Sequence, residues 1–390
     1  MSRIVVLGGA GIIGSAIVQD LADDVAEVVV ADLDLAVAAE VAAKIGGGCV
    51  AVQVDVTNPE KLDDVLSGAD ACINSVQYYF NLEVMAGCLR NKVPYIDLGG
   101  LFYTTRKQLK LAGDFEAAGL TAVLGLGSCP GVANVHAGYM GKMLDAVDSV
   151  KIFNGATVDE GESLSWAYSI ETILDEIYMG SMIFRDGAFQ EKEPLSEEEF
   201  FMFPEPIGYA KTHLSLHSEV ATIPLSLAEK GIQECFFKIT FFGYSEPVLR
   251  KMQFLAEIGF ASTEPLNVKG VEVAPRDVLT TLLKQAPAAH EPPVSKGYKD
   301  IATVVEGTQD GKPVTLRMDT WAWPHKRWGM SGGKLMVASP PAIVARWLAD
   351  GRLNRPGVWA PEQVVDGDMF FADLTDRGIG TALDRQERLY

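Results

Sequence analysis

Basic residues are in short supply in this chain: 33 lysines and arginines face 52 aspartates and glutamates, a net charge of −19 over 390 residues. That balance argues against a surface made for nucleic acid or anionic membranes. Long apolar runs are missing too. None approaches the roughly 20 residues that span a bilayer, and the apolar start is broken by glycines and followed by acids, unlike a secretory leader. Cys49, Cys72, Cys88, Cys129 and Cys235 are scattered, odd in number and without metal-ligand spacing, which suits a reducing compartment. Histidines are just as few. His213 and His217 lie four apart, but no third ligand accompanies them, so no metal is expected. These shortages lead us to expect a cytoplasmic protein with neither nucleic acid nor membrane as partner. What is present, 48% hydrophobic and 22% charged residues, suits a globular chain with a large core, and the length suits two domains.

The most telling stretch is the first 34 residues. Arg3 to Gly8 is a short apolar run that reads as a buried strand. It runs into Gly9-Ala10-Gly11-Ile12-Ile13-Gly14, an amphipathic stretch from Ser15 to Leu21 follows, and a second apolar run from Val25 to Ala31 ends at Asp32-Leu33. One glycine permits the tight turn, the next lets backbone approach a pyrophosphate, and the last lets helix pack on strand. The helix N-terminus offers unpaired N–H groups and a positive dipole end to phosphate. A carboxylate at the second strand's end can accept the ribose hydroxyls and repels a 2′-phosphate. Strand, glycines, helix, strand and acid in this order predict a dinucleotide site, with NAD favoured over NADP.

Strand and helix patterns then alternate to residue 126: strands at 49–54, 71–74, 95–98 and 121–126, helices at 33–45, from Pro59, at 82–89 and at 104–118. We expect an α/β Rossmann domain, a doubly wound parallel sheet with ligands at the carboxyl ends of its strands. At Gly127-Ser128-Cys129-Pro130-Gly131 the pattern changes. Longer, alternating strands at 150–153, 235–242 and 314–319, with helices at 247–257 and 275–285, predict a second α+β domain on a mixed or antiparallel sheet. Residues 285–297 read as an exposed loop. Short helices at 342–348 and 369–374 suggest that the chain from about 340 to 390 returns to the first domain, leaving 127–339 for substrate binding and dimerisation.

Three segments, Asn74 to Asn81, Tyr95 to Gly100 and Gly125 to Asn134, resemble the saccharopine dehydrogenase family, within it the lysine 6-dehydrogenase and carboxynorspermidine dehydrogenase type. The resemblance covers most of the chain. It implies an oxidoreductase acting on a C–N bond of an amino acid or diamine, hydride passing to or from a nicotinamide, and a homodimer. Carboxypolyamine or opine-type reduction is a neighbouring option. An NAD(H)-binding sensor or adaptor without turnover is the alternative of another class. Two departures stand out. Cys129 occupies a position where the saccharopine-reducing branch carries an aspartate, which puts saccharopine in doubt, and the aromatic, cationic segment Trp321 to Trp328 is unlike the lysine enzymes.

Hydride chemistry needs a held nicotinamide, excluded water and one proton moved on or off nitrogen. Asn74 and Ser75 follow the fourth strand, where nicotinamide ribose and pyrophosphate are expected. Asp55 and Val56 follow the third, near the adenine, although Asp55 reads equally well as a turn cap. Tyr78, preferred over Tyr79 by analogy, could assist proton transfer, with one of the two tyrosines packed in the core. Asp97 could hold an ammonium or act as base, or cap the Gly99-Gly100 turn. Cys129, Pro130 and Gly131 begin a helix aimed at the cleft, or form a hinge, and Asn134 lies one turn on. His217 or His213 could transfer the proton, the two sharing one face of a sheet. Ser169 and Glu171 could grip a substrate amine. His136 reads as packing, His290 as solvent-exposed and His325 as part of a lid.

Overall fold

The computed structural model describes residues 2–157, 169–240, 246–285 and 297–387. Six strands open the chain: β1 (Arg3–Leu7), β2 (Glu27–Asp32), β3 (Cys49–Gln53), β4 (Ala71–Asn74), β5 (Tyr95–Asp97) and β6 (Thr121–Val123). Residues 4 to 7 are fully buried, as a strand covered on both faces by helices must be. The second half supplies β7 (Ala146–Ala156), β8 (Ser181–Arg185), β9 (Ala188–Lys192), β10 (Glu199–Met202), β11 (Tyr209–Leu214) and β12 (Glu234–Ile239). It continues with β13 (Leu266–Val268), β14 (Val271–Val273), β15 (Lys299–Gln309), β16 (Lys312–Ala322), β17 (Gly357–Trp359) and β18 (Ile379–Glu387).

The first sheet runs β17-β6-β5-β4-β1-β2-β3, every pair parallel. Its order reverses between β1 and β4, so the loops after those strands open a crevice at their carboxyl ends. The second sheet is mixed. β7 pairs parallel with β12 and antiparallel with β15, and β16, β18, β11 and β10 extend it outward. The α/β domain beside a mixed-sheet domain is the architecture expected from sequence. The β15–β16 turn is Asp310-Gly311 with φ of 53° and 74°, the left-handed pair a two-residue hairpin requires.

Several boundaries differ from the sequence reading. The helix expected at 104–118 is two helices, Leu101–Gln108 and Ala112–Ala117, joined by a 3₁₀ turn. The helix expected from Ala342 spans Gly332–Ala349, with Pro340 and Pro341 inside it. Those prolines read as a helix start, but this helix is buried on most sides, and packing outweighs the lost N–H bonds. It lies against the helix Gly14–Leu21 and β4 on one side and β15 and β16 on the other. Of the segment from 340 onward, β17 joins the first sheet, whereas β18 pairs with β16 in the second. The loop expected at 285–297 falls almost wholly outside the described residues.

Asp20, 1% exposed, ties these parts together. Its carboxylate accepts from Ser339 Oγ (2.8 Å), Arg346 Nη1 (3.0 Å) and Arg377 Nε and Nη2 (2.8 and 2.9 Å). These donors replace the hydration that burial removes from the carboxylate.

Asp300 is the opposite case. It is fully buried beside Asp319, which is engaged by Arg317, and no hydrogen-bond partner among the described residues meets either Asp300 oxygen. Burial, then the Asp319 charge, pushes its carboxyl up to about 8. An unfolded aspartate ionises near 4, so the native state binds the extra proton between roughly pH 4 and 8, and stability falls as pH rises through that window. Asp300→Asn removes this dependence. Its stabilising effect in urea denaturation is expected to be small at about pH 5 and to reach about 2 kcal/mol or more near pH 8. Equal effects at both pH values would refute the assignment.

Candidate active site

The glycine turn is built by exclusion. A Cβ on Gly14 would lie 2.0 Å from the Gly8 carbonyl oxygen, one on Gly9 2.9 Å from that of Val6, and Gly8 has φ of 72°. Helix and strand therefore meet backbone to backbone, leaving a cradle open above the helix N-terminus. Asp32 sits at the β2 end beside this turn, its carboxylate accepting the Ala10 N–H at 3.0 Å. No lysine or arginine lies between residues 27 and 43. The cradle and carboxylate fit a dinucleotide. Gly9 to Gly14 would hold its pyrophosphate and Asp32, with Leu33 exposed beside it, its adenosine ribose. Asp55 accepts from Thr57 N and Oγ1 at 2.9 and 2.7 Å, so it caps its own turn, with Val56 behind it.

Between the two domains lies an open cavity of about 310 Å³. Gly11 to Gly14, Ser75, Gln77 and Tyr78 line the first-domain side. Ser128, Cys129 and Pro130 lie between, and Asn154, Ser169, Thr172, Glu176, His217, Ser218 and Lys299 line the second-domain side. An open cleft of this kind is what turnover requires.

The structure divides the sequence candidates. Ser75, Tyr78, Cys129, Pro130, Ser169 and His217 meet in the cleft. Asp97, Asn74, Asn134, Glu171 and Gly131 do not. Asp97 is fully buried beneath the strand ends, where one oxygen accepts from the Gly99 and Gly125 N–H groups (2.9 and 2.7 Å) and the other from Asn81, Tyr95 and Gln108 (3.2, 2.9 and 2.6 Å). It is a turn-fixing acid, not a base in the cleft, and burial raises its pKa against those hydrogen bonds. Asn74 belongs to the same network through Asn81 and Tyr95. Asn134 caps the Gly131 N–H (3.0 Å) and reaches Thr222 and Glu362. Glu171 pairs with Lys284 at 2.9 Å and accepts from Ser169 Oγ, which also caps the helix Ile170–Tyr178. Gly131, at φ of 127°, packs its Cα against Gly127.

Tyr78 donates to Asp175 Oδ2 at 2.9 Å, and Asp175 pairs with Arg276. Burial and the neighbouring carboxylate push this phenol far up, so it orients rather than ionises. Of the two tyrosines, Tyr78 is part-buried and packs against the core, and Tyr79 is 39% exposed against the Tyr78 ring. The Cys129 thiol is likewise raised by burial and by Glu219, which makes it no nucleophile.

His217 lies beyond the end of β11 and stacks on Phe237 with centroids 3.8 Å apart. Its Nδ1 meets Glu219 Oε2 at 2.9 Å and its Nε2 lies 3.7 Å from Glu176 Oε1. Burial disfavours the imidazolium, but the two carboxylates outweigh it and raise the pKa to about 10. His213 remains on β11, 3.5 Å from Glu198, so the two histidines share no sheet face. His136 is buried between Thr303 and Thr320, lowered by burial to about 3. His325 lies tilted against the Trp328 ring outside the cleft, and His290 lies outside the described residues.

Sequence reasoning missed Lys299, Glu176, Glu219, Asn154, Thr172 and Ser218. Lys299 opens β15, 3% exposed, its Nζ donating to Ser128 Oγ at 2.7 Å. Burial lowers its pKa to about 8, with Cys129, Glu176 and Glu219 acting against that fall. A signal for Glu176 was present: Ser169, Thr172 and Glu176 repeat at helical spacing and so share one helix face.

Against known proteins, residues 4–123 match the saccharopine dehydrogenase NADP binding domain and residues 127–379 the saccharopine dehydrogenase C-terminal domain. The chain belongs to the saccharopine dehydrogenase family. Membership makes it a nicotinamide-dinucleotide oxidoreductase acting on a C–N bond, as the resemblance implied. It is 25% identical to a carboxyaminopropylagmatine dehydrogenase from Synechocystis over 97% of this chain and 96% of that protein. It is 27% identical to a carboxynorspermidine synthase from Vibrio cholerae over 84% and 81%. The yeast saccharopine dehydrogenase (L-Glu forming) superposes with a TM-score of 0.71 at 17% identity, covering 99% of this chain and all of that one. The homospermidine synthase of Legionella pneumophila, solved with NAD, gives 0.68 at 12% identity, covering 100% and 92%. Among the described residues no helix is long and apolar enough to cross a membrane.

Proposed function

We propose that this family member is an NAD(H)-dependent dehydrogenase of carboxylated polyamines, working between a secondary amine and the corresponding imine. The carrying observation is the second-domain side of the cleft. Thr172 and Glu176 face it from one helix, and Asn154 Oδ1 and Ser218 Oγ, both on buried side chains, have no hydrogen-bond partner among the described residues. Unmet buried acceptors ask for donors, and an amine chain supplies them. The names of the two full-length relatives favour a carboxylated polyamine over lysine, and Cys129 in place of an aspartate speaks against saccharopine. A bound nicotinamide supplies or accepts the hydride. The chain's own residues orient the amine, exclude water and move the proton.

The NAD preference rests on Asp32 and on the lack of a neighbouring cation for a 2′-phosphate. Asp32→Ala is expected to shift the NADH-to-NADPH ratio of kcat/KM at least tenfold toward NADPH, about 1.4 kcal/mol; an unchanged ratio would remove Asp32 from this role. The reaction class is tested by NAD reduction with carboxynorspermidine, carboxyaminopropylagmatine, saccharopine and lysine in parallel. Turnover confined to lysine would overturn the carboxypolyamine reading. Five unpaired cysteines suit a cytoplasmic location. We take the protein to be a homodimer, as the family resemblance implies, which a solution mass near twice 42.1 kDa would bear out.

A further inference from the structure

We propose that Lys299, positioned by Ser128, is the proton-transfer residue, giving its proton to the substrate nitrogen in reduction and recovering it in oxidation. This rests on the C–N reading above. The argument begins with place. Lys299 is a buried lysine at the edge of the cleft, reached from β15, while Ser128 comes from the turn after β6, so two segments far apart in sequence meet to fix one ammonium. Ser128 is itself 2% exposed, so the 2.7 Å contact fixes Nζ at the cleft from a buried hydroxyl.

The groups facing Lys299 are Cys129 from that turn, Glu176 from the helix Ile170–Tyr178, and Glu219 at the start of the helix Glu219–Ser226, with His217 between the two glutamates. Asp300, next along β15, belongs to the Asp319 and Arg317 cluster. Three groups considered from the sequence do not suit the task. The Tyr78 phenol is committed to Asp175, His217 is held as an imidazolium by carboxylates at both nitrogens, and the Cys129 thiol is raised by burial. Lys299, lowered to about 8, exchanges its proton in the range where a general acid and base is most effective.

The balance is simple. In reduction the imine carbon gains the hydride and its nitrogen gains the Lys299 proton. The C=N bond becomes CH–NH, the nicotinamide is oxidised, and neutral Lys299 recovers a proton from solvent. Oxidation reverses each transfer. The reductive rate therefore falls above about pH 8, where Lys299 loses its proton, and the oxidative rate rises through the same pH.

The test compares wild type, Lys299→Met and Lys299→Arg. Lys299→Met should lose about 100-fold or more in kcat, as removal of a general acid does, while NADH affinity by fluorescence stays within about threefold. Arginine keeps charge and donors but does not release a proton, so it should fail to restore kcat and should erase the break near pH 8. Restoration by arginine, with the wild-type pH profile, would overturn the proposal and leave Lys299 a fixed charge. A second readout needs no substrate: NMR of 13C-labelled lysine, with the Lys299 signal identified by its loss in Lys299→Met. Titration near 8 supports the assignment, and titration above about 10, the ordinary lysine value, overturns it. Absence of wild-type turnover on every carboxypolyamine would instead defeat the substrate reading, leaving the titration to judge Lys299.

Discussion

Gly14→Ala is expected to weaken NADH binding at least 100-fold, about 2.7 kcal/mol, in a fluorescence titration. The added methyl would sit 2.0 Å from the Gly8 carbonyl oxygen, 2.8 Å from its carbon and 2.9 Å from the Gly9 Cα. All three are backbone atoms of the turn itself. No side chain can rotate away, so the helix Gly14–Leu21 must lift from β1 and carry its N-terminus out of reach of the pyrophosphate. The same displacement disturbs the contact with the helix Gly332–Ala349, and about 1–3 kcal/mol of stability should go with it, as in other overpacked sites. Gly11→Ala is the control. A Cβ there meets only the Gly8 oxygen at 3.2 Å, which a small adjustment relieves. Equal affinities in wild type and Gly14→Ala would mean that the dinucleotide does not rest on this turn.

Asp97→Ala is expected to lower unfolding free energy by roughly 3–5 kcal/mol, since several buried donors lose their acceptor at a cost of about 1–3 kcal/mol each, measured by urea denaturation. Five donors converge on this carboxylate: two backbone N–H groups and the side chains of Asn81, Tyr95 and Gln108. Alanine leaves each without its acceptor in a closed space, and unmet buried donors cost more than a made hydrogen bond contributes. Asp97→Asn keeps the shape but turns one acceptor into a donor aimed at Gln108 or at the backbone pair, so it should recover only part of the loss. If Asp97→Ala folded with wild-type stability and lost only kcat, Asp97 would be the base considered from the sequence, and its burial here would be misleading.

The first domain was legible because its signals are local. Apolar strand, glycine turn, helix and terminal acid lie within 34 residues, and Ala71–Asn74 was read to the residue. The active site was harder for a geometric reason. Residue 78 lies on the loop after β4, 129 on the turn after β6, 176 on a helix, 217 beyond β11 and 299 on β15, and only the closing of two sheets on each other brings them together. Asp97 misled because a carboxylate at a strand's carboxyl end looks the same in sequence whether it faces a ligand or the turn beneath it. Lys299 gave no signal of its own: a Lys-Asp pair entering an apolar strand reads as solvent-facing until the strand is known to be central. Pro340-Pro341 misled in the same way, since propensity was weighed without the burial that overrides it.

Asp20 bears on which substrates fit. It lies on the first domain's opening helix. Its two arginines come from the long helix that touches both domains and from the residue two before β18, which enters the second sheet. Swinging the domains apart would strip a buried carboxylate of its counter-ions, so the gap between hydride carrier and Lys299 is set in advance. The enzyme then behaves as a fixed gauge. An amine substrate one methylene too short loses contact worth about 0.8 kcal/mol at the far end of the cleft, and one too long forces its reacting carbon out of line. Discrimination among homologous amines should therefore appear more in kcat than in affinity.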